Sequence, residues 1–242
     1  TKLLYLETPT NPGLDIMDLR QISDFCRKNS ILLVVDNCFA TPYLQKPLSL
    51  GADIVIHSAT KYLDGQGRVM GGAIIAGHEI ISRIFPFMKN AGPSLSPFNA
   101  WVLSKSLETL AVRMDRHCEN ALKVASWLES RPEVKEVRYP FLASHDGYDT
   151  ARSQMKAGGG MVSFELRGGM EAGKKMIDNR SMMSLSANLG DTRTIITHPA
   201  SSTHSKLSAG DGAAAGISDG LIRLSVGLEH VDDILADLEG AF

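Results

Sequence analysis

Lys61 stands just after the apolar run Ile54-Val55-Ile56-His57 and the small residues Ser58-Ala59-Thr60, and just before Gly65-Gln66-Gly67. A lysine that can lose its proton is the nucleophile for Schiff-base chemistry with a carbonyl. The hydroxyls of Ser58 and Thr60, with the backbone N–H groups around them, are suitable anchors for a phosphate. A single lysine is most often a solvated surface charge, but a position at the end of an apolar strand argues against that here. A nucleotide-binding loop is the other reading, and it fails on spacing. Gly65, Gly67, Gly71 and Gly72 do not give G-x-G-x-x-G, and no G-K-[ST] follows a strand.

Asp36 directly follows a second buried-looking run, Leu32-Leu33-Val34-Val35. An aspartate at a strand end is commonly a turn or cap residue. Downstream of it, however, lies a Schiff-base lysine with phosphate-binding neighbours. Pyridoxal 5′-phosphate (PLP) acts as an electron sink while its ring nitrogen stays protonated, which an adjacent carboxylate secures. Asp36 is the candidate for that carboxylate. Arg223, within the apolar stretch Leu221–Val226, reads in isolation as a strand-edge ion-pair residue.

The elements that must position these residues follow from the hydrophobic pattern. Strands are expected at Leu3–Leu6, Leu32–Val35, Ile54–His57 and Ala73–Ala76, with a helix over Asp18–Lys28 whose Leu19, Ile22 and Phe25 recur at helical spacing. Strands alternating with helices predict a parallel α/β sheet, whose ligand sites lie beyond the carboxyl ends of the strands. Asp36-Asn37 and His57–Lys61 both stand there. Ser96-Pro97 is a cap-plus-first-turn signal for a long helical stretch up to Arg131, stopped by Pro132. Beyond it, strands at Val134–Arg138, Gly160–Glu165 and Leu221–Val226 mix with helices at Ala172–Asn179 and Val231–Glu239, an α+β layer. Residues 1–112 therefore read as part of a large domain and 113–242 as a smaller C-terminal domain. Ser208–Gly216 reads as an exposed loop or short helix, and Arg167, Lys174 and Lys175 as solvated surface residues.

Composition narrows the partners. The chain has 242 residues, 43% hydrophobic and 21% charged, with a net charge of −2. That balance offers no basic footprint for nucleic acid and no attraction to an acidic membrane. Apolar runs such as Ile31–Val35 are far shorter than the ~20 residues of a spanning helix. No metal-ligand spacing is evident, so a small molecule is the expected partner. The three cysteines, Cys26, Cys38 and Cys118, have no CxxC spacing and read as small buried hydrophobes in a reducing, cytoplasmic setting.

Taken together, Glu7-Thr8-Pro9-Thr10-Asn11-Pro12, Val35-Asp36-Asn37 and Ser58-Ala59-Thr60-Lys61-Tyr62 resemble the cystathionine γ-synthase-like (Cys/Met metabolism) family of fold-type I PLP enzymes. The resemblance runs on through Ser96–Ala100, His198–His204 and Gly220–Glu229, and so covers essentially the whole chain. It implies the aspartate aminotransferase-like α/β fold, a mostly parallel large-domain sheet followed by a smaller α+β domain, with PLP as cofactor and an amino acid as substrate. It also implies roles. Lys61 forms the Schiff base and shuttles protons, Asp36 meets the ring nitrogen, Asn11 the ring oxygen, and Ser58 and Thr60 the phosphate. Arg223, with Asn11 and Asn188, faces the substrate, and a planar guanidinium suits an α-carboxylate.

Within the family, γ-lyases and γ-synthases usually carry Ser-Leu-Gly before the His-Pro-Ala stretch, whereas this chain has Asn188-Leu189-Gly190. Ser184-Leu185-Ser186 is out of register with that motif. Asn188, with Asp36–Pro42 and Asp64–Arg68, resembles the O-succinylhomoserine sulfhydrylase branch. The expectation is conversion of O-succinylhomoserine or O-acetylhomoserine with sulfide to homocysteine. The alternatives are a methionine γ-lyase, a cystathionine γ-synthase or γ-lyase, or an inactive fragment or partner subunit that keeps the fold. Gln66 and Arg68 are candidate contacts for the ester, and His57 and His204 could lie near the site. The chain enters the run Lys2–Leu6 at once and reads as starting mid-fold. The family's N-terminal segment, which brings a phosphate loop, a stacking aromatic and residues lent across a dimer interface, is expected to be missing, cleaved or carried separately. A homo-oligomer, commonly a dimer of dimers, is implied, with a neighbouring subunit's N-terminal segment completing the site.

Overall fold

The apolar runs of the first half pair with one another. In the computed structural model, which describes residues 1–202 and 216–242, Leu3–Glu7 (β1), Leu32–Asp36 (β2), Ile54–Ser58 (β3) and Gly72–Ala76 (β4) form a four-stranded sheet in that order. β1, β2 and β3 are mutually parallel, and β4 returns antiparallel to β3. Successive side chains alternate between the faces. Leu6, Leu33, Val35 and Val55 bury one face against Leu19 and Cys26 of helix α1 (Leu19–Lys28). Each such aliphatic residue taken out of water contributes roughly 1.5–3 kcal/mol. Asp18 caps α1 by accepting from Gln21 N at 3.0 Å. The register sets Glu7 beside Asp36 and Asp36 beside Ile56. Tyr5, Glu7, Asp36 and Ser58 therefore share the other face.

After β4 comes a helix absent from the expected elements, His78–Ala91 (α2). It holds Pro86 and buries none of its residues. The long helix expected from Ser96 to Arg131 is two helices, Pro97–Leu107 (α3) and Leu110–Glu129 (α4). Ser96 caps α3 by accepting from Asn99 N at 3.1 Å. The break has a side-chain cause. The Ser106 carbonyl is taken by the Thr109 hydroxyl at 3.1 Å and by Arg113 Nη2 at 3.0 Å, which competes with continuation of the helical ladder.

The second half forms a five-stranded sheet in the order β5-β6-β9-β8-β7, from Val134–Arg138 (β5), Met161–Leu166 (β6), Ser184–Leu185 (β7), Ile195–Thr197 (β8) and Leu221–Ser225 (β9). It is antiparallel except for the β7–β8 pair. Its core joins Phe164, Ile222 and Leu224 to Val124 and Leu128 of α4, Met176 of helix α6 (Gly169–Asn179, after the short α5, Tyr148–Gln154) and Ile234 and Leu238 of α7 (Val231–Ala241). The expected α+β layer is thus built, with two short strands added. Residues 208–215 of the glycine- and alanine-rich stretch, and His204, lie outside the described residues. Among the described residues, no helix is long and apolar enough to cross a membrane.

Candidate active site

β3 ends at Ser58, and the chain then makes one wide helical turn, Ala59–Leu63, closed by Asp64 N donating to Ala59 O at 3.0 Å. Such five-residue closures are uncommon and tend to mark functional positions. Tyr62 anchors the turn. It is fully buried, edge-on to His117 with ring centroids 5.2 Å apart. Lys61 beside it is half-buried, with non-helical φ −91° and ψ −132°. Its Nζ donates to Asn188 Oδ1 at 2.5 Å. Burial pulls the Lys61 amine below the ordinary lysine value, and the Arg223 guanidinium pulls it the same way. Gly190 (φ +76°) packs directly on the turn, where a Cβ would stand 2.7 Å from Tyr62 N.

Asp36 lies at the carboxyl end of β2, one strand over on the face shared with Ser58. Its Oδ2 accepts from the Tyr5 hydroxyl at 3.1 Å and its Oδ1 from Cys38 N at 3.0 Å. Burial, then the Asp36 charge, pushes Tyr5 up to about 12, so the phenol stays a donor. Burial, then Asp36, likewise pushes the Cys38 thiol up to about 12, which keeps it un-ionised and unreactive. All three cysteines are free and buried.

Arg223, only 6% exposed, reaches over from β9. Its Nη1 donates to Asn11 Oδ1 at 3.1 Å, and its Nη2 donates to Ala187 O at 2.9 Å and to Asn188 O at 3.3 Å. Asn11 N donates to Glu7 Oε2 at 2.9 Å, and burial raises the Glu7 carboxyl above its usual range. A linked set therefore runs from Glu7 through Asn11, Arg223 and Asn188 to Lys61. Its donors could hold a carboxylate close to a half-buried amine.

The description "Cys/Met metabolism PLP-dependent enzyme" matches the chain over residues 1–242. This chain is a member of the Cys/Met metabolism PLP-dependent family. Its relatives include the O-succinylhomoserine sulfhydrylase of Pseudomonas aeruginosa, 49% identical over 238 residues, covering 98% of this chain and 59% of the relative. The L-methionine gamma-lyase of Fusobacterium nucleatum subsp. polymorphum is 50% identical over 242 residues, covering 99% and 61% respectively. Among solved structures, cystathionine gamma synthase from Xanthomonas oryzae pv. oryzae in complex with cystathionine superposes with a TM-score of 0.95 at 44% identity, covering 99% of this chain and 62% of that one. The chain thus spans about three fifths of the length of these relatives.

The donor set fits the family's PLP. An amine whose pKa burial lowers, a carboxylate and a hydroxyl stand at neighbouring strand ends on one sheet face, which are the groups a Schiff base, a protonated ring nitrogen and a phosphate require. Of the residues expected from the sequence, Lys61, Asn188, Arg223 and Asn11 are linked as described, and Asp36 and Ser58 lie on the face beside them. Thr60 is already engaged, its hydroxyl accepting from Gly71 N at 3.1 Å. His57 does not join the group. Alternation turns it to the opposite face, where it lines an apolar cleft of about 450 Å³ with Asn37, Val55 and Leu63. Arg68 pairs with buried Asp64 at 3.0 Å and donates to Ser106 Oγ at 2.7 Å, so its guanidinium serves the fold, while Gln66 is exposed. Sequence reasoning missed Tyr5 and the site role of Glu7. Period-two alternation along β1, read against Asp36 in β2, is the signal that finds both.

Proposed function

We propose that the protein carrying this chain catalyses PLP-dependent γ-replacement, joining sulfide to the γ-carbon of O-succinylhomoserine or O-acetylhomoserine to give homocysteine with loss of the carboxylic acid. The observation that carries the choice is Asn188 on Lys61 Nζ. An amide oxygen accepts from the amine yet, unlike a hydroxyl, cannot relay a proton onward, so Lys61 is left as the proton carrier at this point.

Bound PLP supplies delocalisation for the electron pair left when a proton leaves the substrate. The remaining work belongs to the chain. Arg223 and Asn11 grip the α-carboxylate and orient the Cα–H bond. Lys61 takes the Cα proton on Nζ and returns one later, a task helped by a proton affinity below that of ordinary lysine. Asp36 would hold a positive ring nitrogen and Ser58 the phosphate, with Thr60 joining once its hydroxyl turns from Gly71. Asn188 steadies the amine between transfers.

In the same proposal, residues 1–112 belong to the large PLP-binding domain and 113–242 to the small domain. The working form is a cytoplasmic homo-oligomer, a dimer of dimers in which an N-terminal segment of a neighbouring subunit completes the site. The exposed Phe85, Phe87 and Met88 of α2 support an assembly. Turnover of O-succinylhomoserine, O-acetylhomoserine, cystathionine and methionine, each with and without sulfide, tests the reading. Sulfide-dependent homocysteine from a homoserine ester is expected, and methionine lysis as the dominant activity would overturn it.

A further inference from the structure

Arg113, at the start of α4, is 5% exposed and makes no ion pair among the described residues. Its guanidinium is directed at main-chain carbonyls. Nη1 donates to Tyr62 O at 2.7 Å, Nη2 to Ser106 O at 3.0 Å and, at 3.5 Å, toward Leu63 O, while Nε donates to Thr109 Oγ1 at 3.2 Å. Burial lowers its pKa, and the nearby carboxylate, Asp64, is bonded to Arg68 instead. Two of the four acceptors are the carbonyls that follow Lys61. On the other side of the same turn, Thr192 N donates to Gly65 O at 2.9 Å and Gly190 packs on the Lys61–Tyr62 peptide. Neither clamp touches the Lys61 side chain. Both act on the backbone that carries it. A buried cation is costly unless its hydrogen bonds are met, and a rigid fork locks two peptide planes in a way that a single-donor side chain cannot.

We propose that Arg113 is a positioning residue for Lys61, its guanidinium fork fixing the peptide planes that follow the lysine and so fixing where the amine points. This rests on the reading of Lys61 as the cofactor lysine.

The test uses the PLP-loaded protein and its Arg113→Met, Arg113→Lys and Thr109→Val variants. It measures kcat and KM for the homoserine ester and amide hydrogen exchange over residues 59–65 against β6 and β9. For Arg113→Met, kcat falls on the order of 10- to 100-fold, as misplacement of a reacting group implies, while KM stays within about two-fold. Exchange over 59–65 quickens by at least about ten-fold, and β6 and β9 keep their protection. Arg113→Lys recovers part of both losses, since one donor can still reach Tyr62 O. Should Arg113→Met fail to fold, Thr109→Val decides. It removes the acceptor of Nε at an exposed position and gives the same pattern, smaller. Wild-type kcat and exchange in a folded Arg113→Met, or in Thr109→Val where the first does not fold, overturn the proposal. Wild-type protein whose PLP is not on Lys61 overturns the site reading instead, and is distinguished by mapping the modified residue.

Discussion

Lys61 and Asn188, 127 positions apart in sequence, meet through Nζ and Oδ1, and the main-chain carbonyl of the same Asn188 accepts from Arg223. One residue therefore touches both the candidate base and the candidate carboxylate ligand. Its side chain reads the state of the amine, and its backbone reads the position of the guanidinium.

Replacing Asn188 by Ser restores a hydroxyl at the lysine. The expected outcome is a partition moved from replacement toward elimination, with the ratio of 2-oxo acid to homocysteine rising about ten-fold, a change of about 1.4 kcal/mol in relative barriers. Product analysis with sulfide present measures the ratio directly. An unchanged ratio would detach Asn188 from reaction choice.

Arg223→Leu removes a cation that helps to hold Lys61 below the usual lysine value near ~10.4. The sign follows. Burial still lowers the amine, but loss of the neighbouring positive charge makes protonation easier, so the Lys61 pKa rises. The pH profile of Lys61 labelling by an amine reagent in PLP-stripped protein moves to higher pH. In turnover, KM for the amino acid rises on the order of 100-fold, about 2.7 kcal/mol, with a smaller change in kcat.

Asp237 supports the approach to β7. Burial works against its charge, yet Ser181 N at 2.7 Å, Ser181 Oγ at 2.8 Å, Met182 N at 3.0 Å and Met183 N at 2.8 Å hold its carboxyl below the ordinary range. A depressed folded-state pKa stabilises the fold above the unfolded value near ~3.9, and that contribution is lost as pH falls through the lower folded value. Asp237→Asn is expected to cost roughly 2–4 kcal/mol at neutral pH. It should also flatten the loss of stability as pH falls below the unfolded carboxyl value, as read by denaturant titration.

Much of this architecture is legible in the chain because its signals are local. Leu32–Val35 and Ile54–His57 are apolar runs ending at an acid and at hydroxyls, and they become the central strands with Asp36 and Ser58 at their ends. β7 and β8 were missed because two and three residues are too few for a period to register. α2 was missed although Ile80, Ile81, Ile84, Phe87 and Met88 recur at helical spacing, because Pro86 within the stretch reads as a helix breaker. The break between α3 and α4 comes where Arg113 and Thr109 both donate to the Ser106 carbonyl, local side-chain bonds that helix propensity does not encode. At the site, Lys61 and Asp36 were readable from strand-end position. That Asn11 and Arg223 serve one site came through resemblance to a family rather than through spacing, and their direct contact across 212 positions was not foreseen.

The most direct measurement is to load the protein with PLP, reduce it with borohydride and map the cofactor-bearing peptide by mass spectrometry. The modified residue is predicted to be Lys61, with the visible absorbance of the lysine-linked cofactor lost in Lys61→Ala. Reduction that marks another lysine, or a Lys61→Ala protein that still carries PLP covalently, would contradict the assignment of this site.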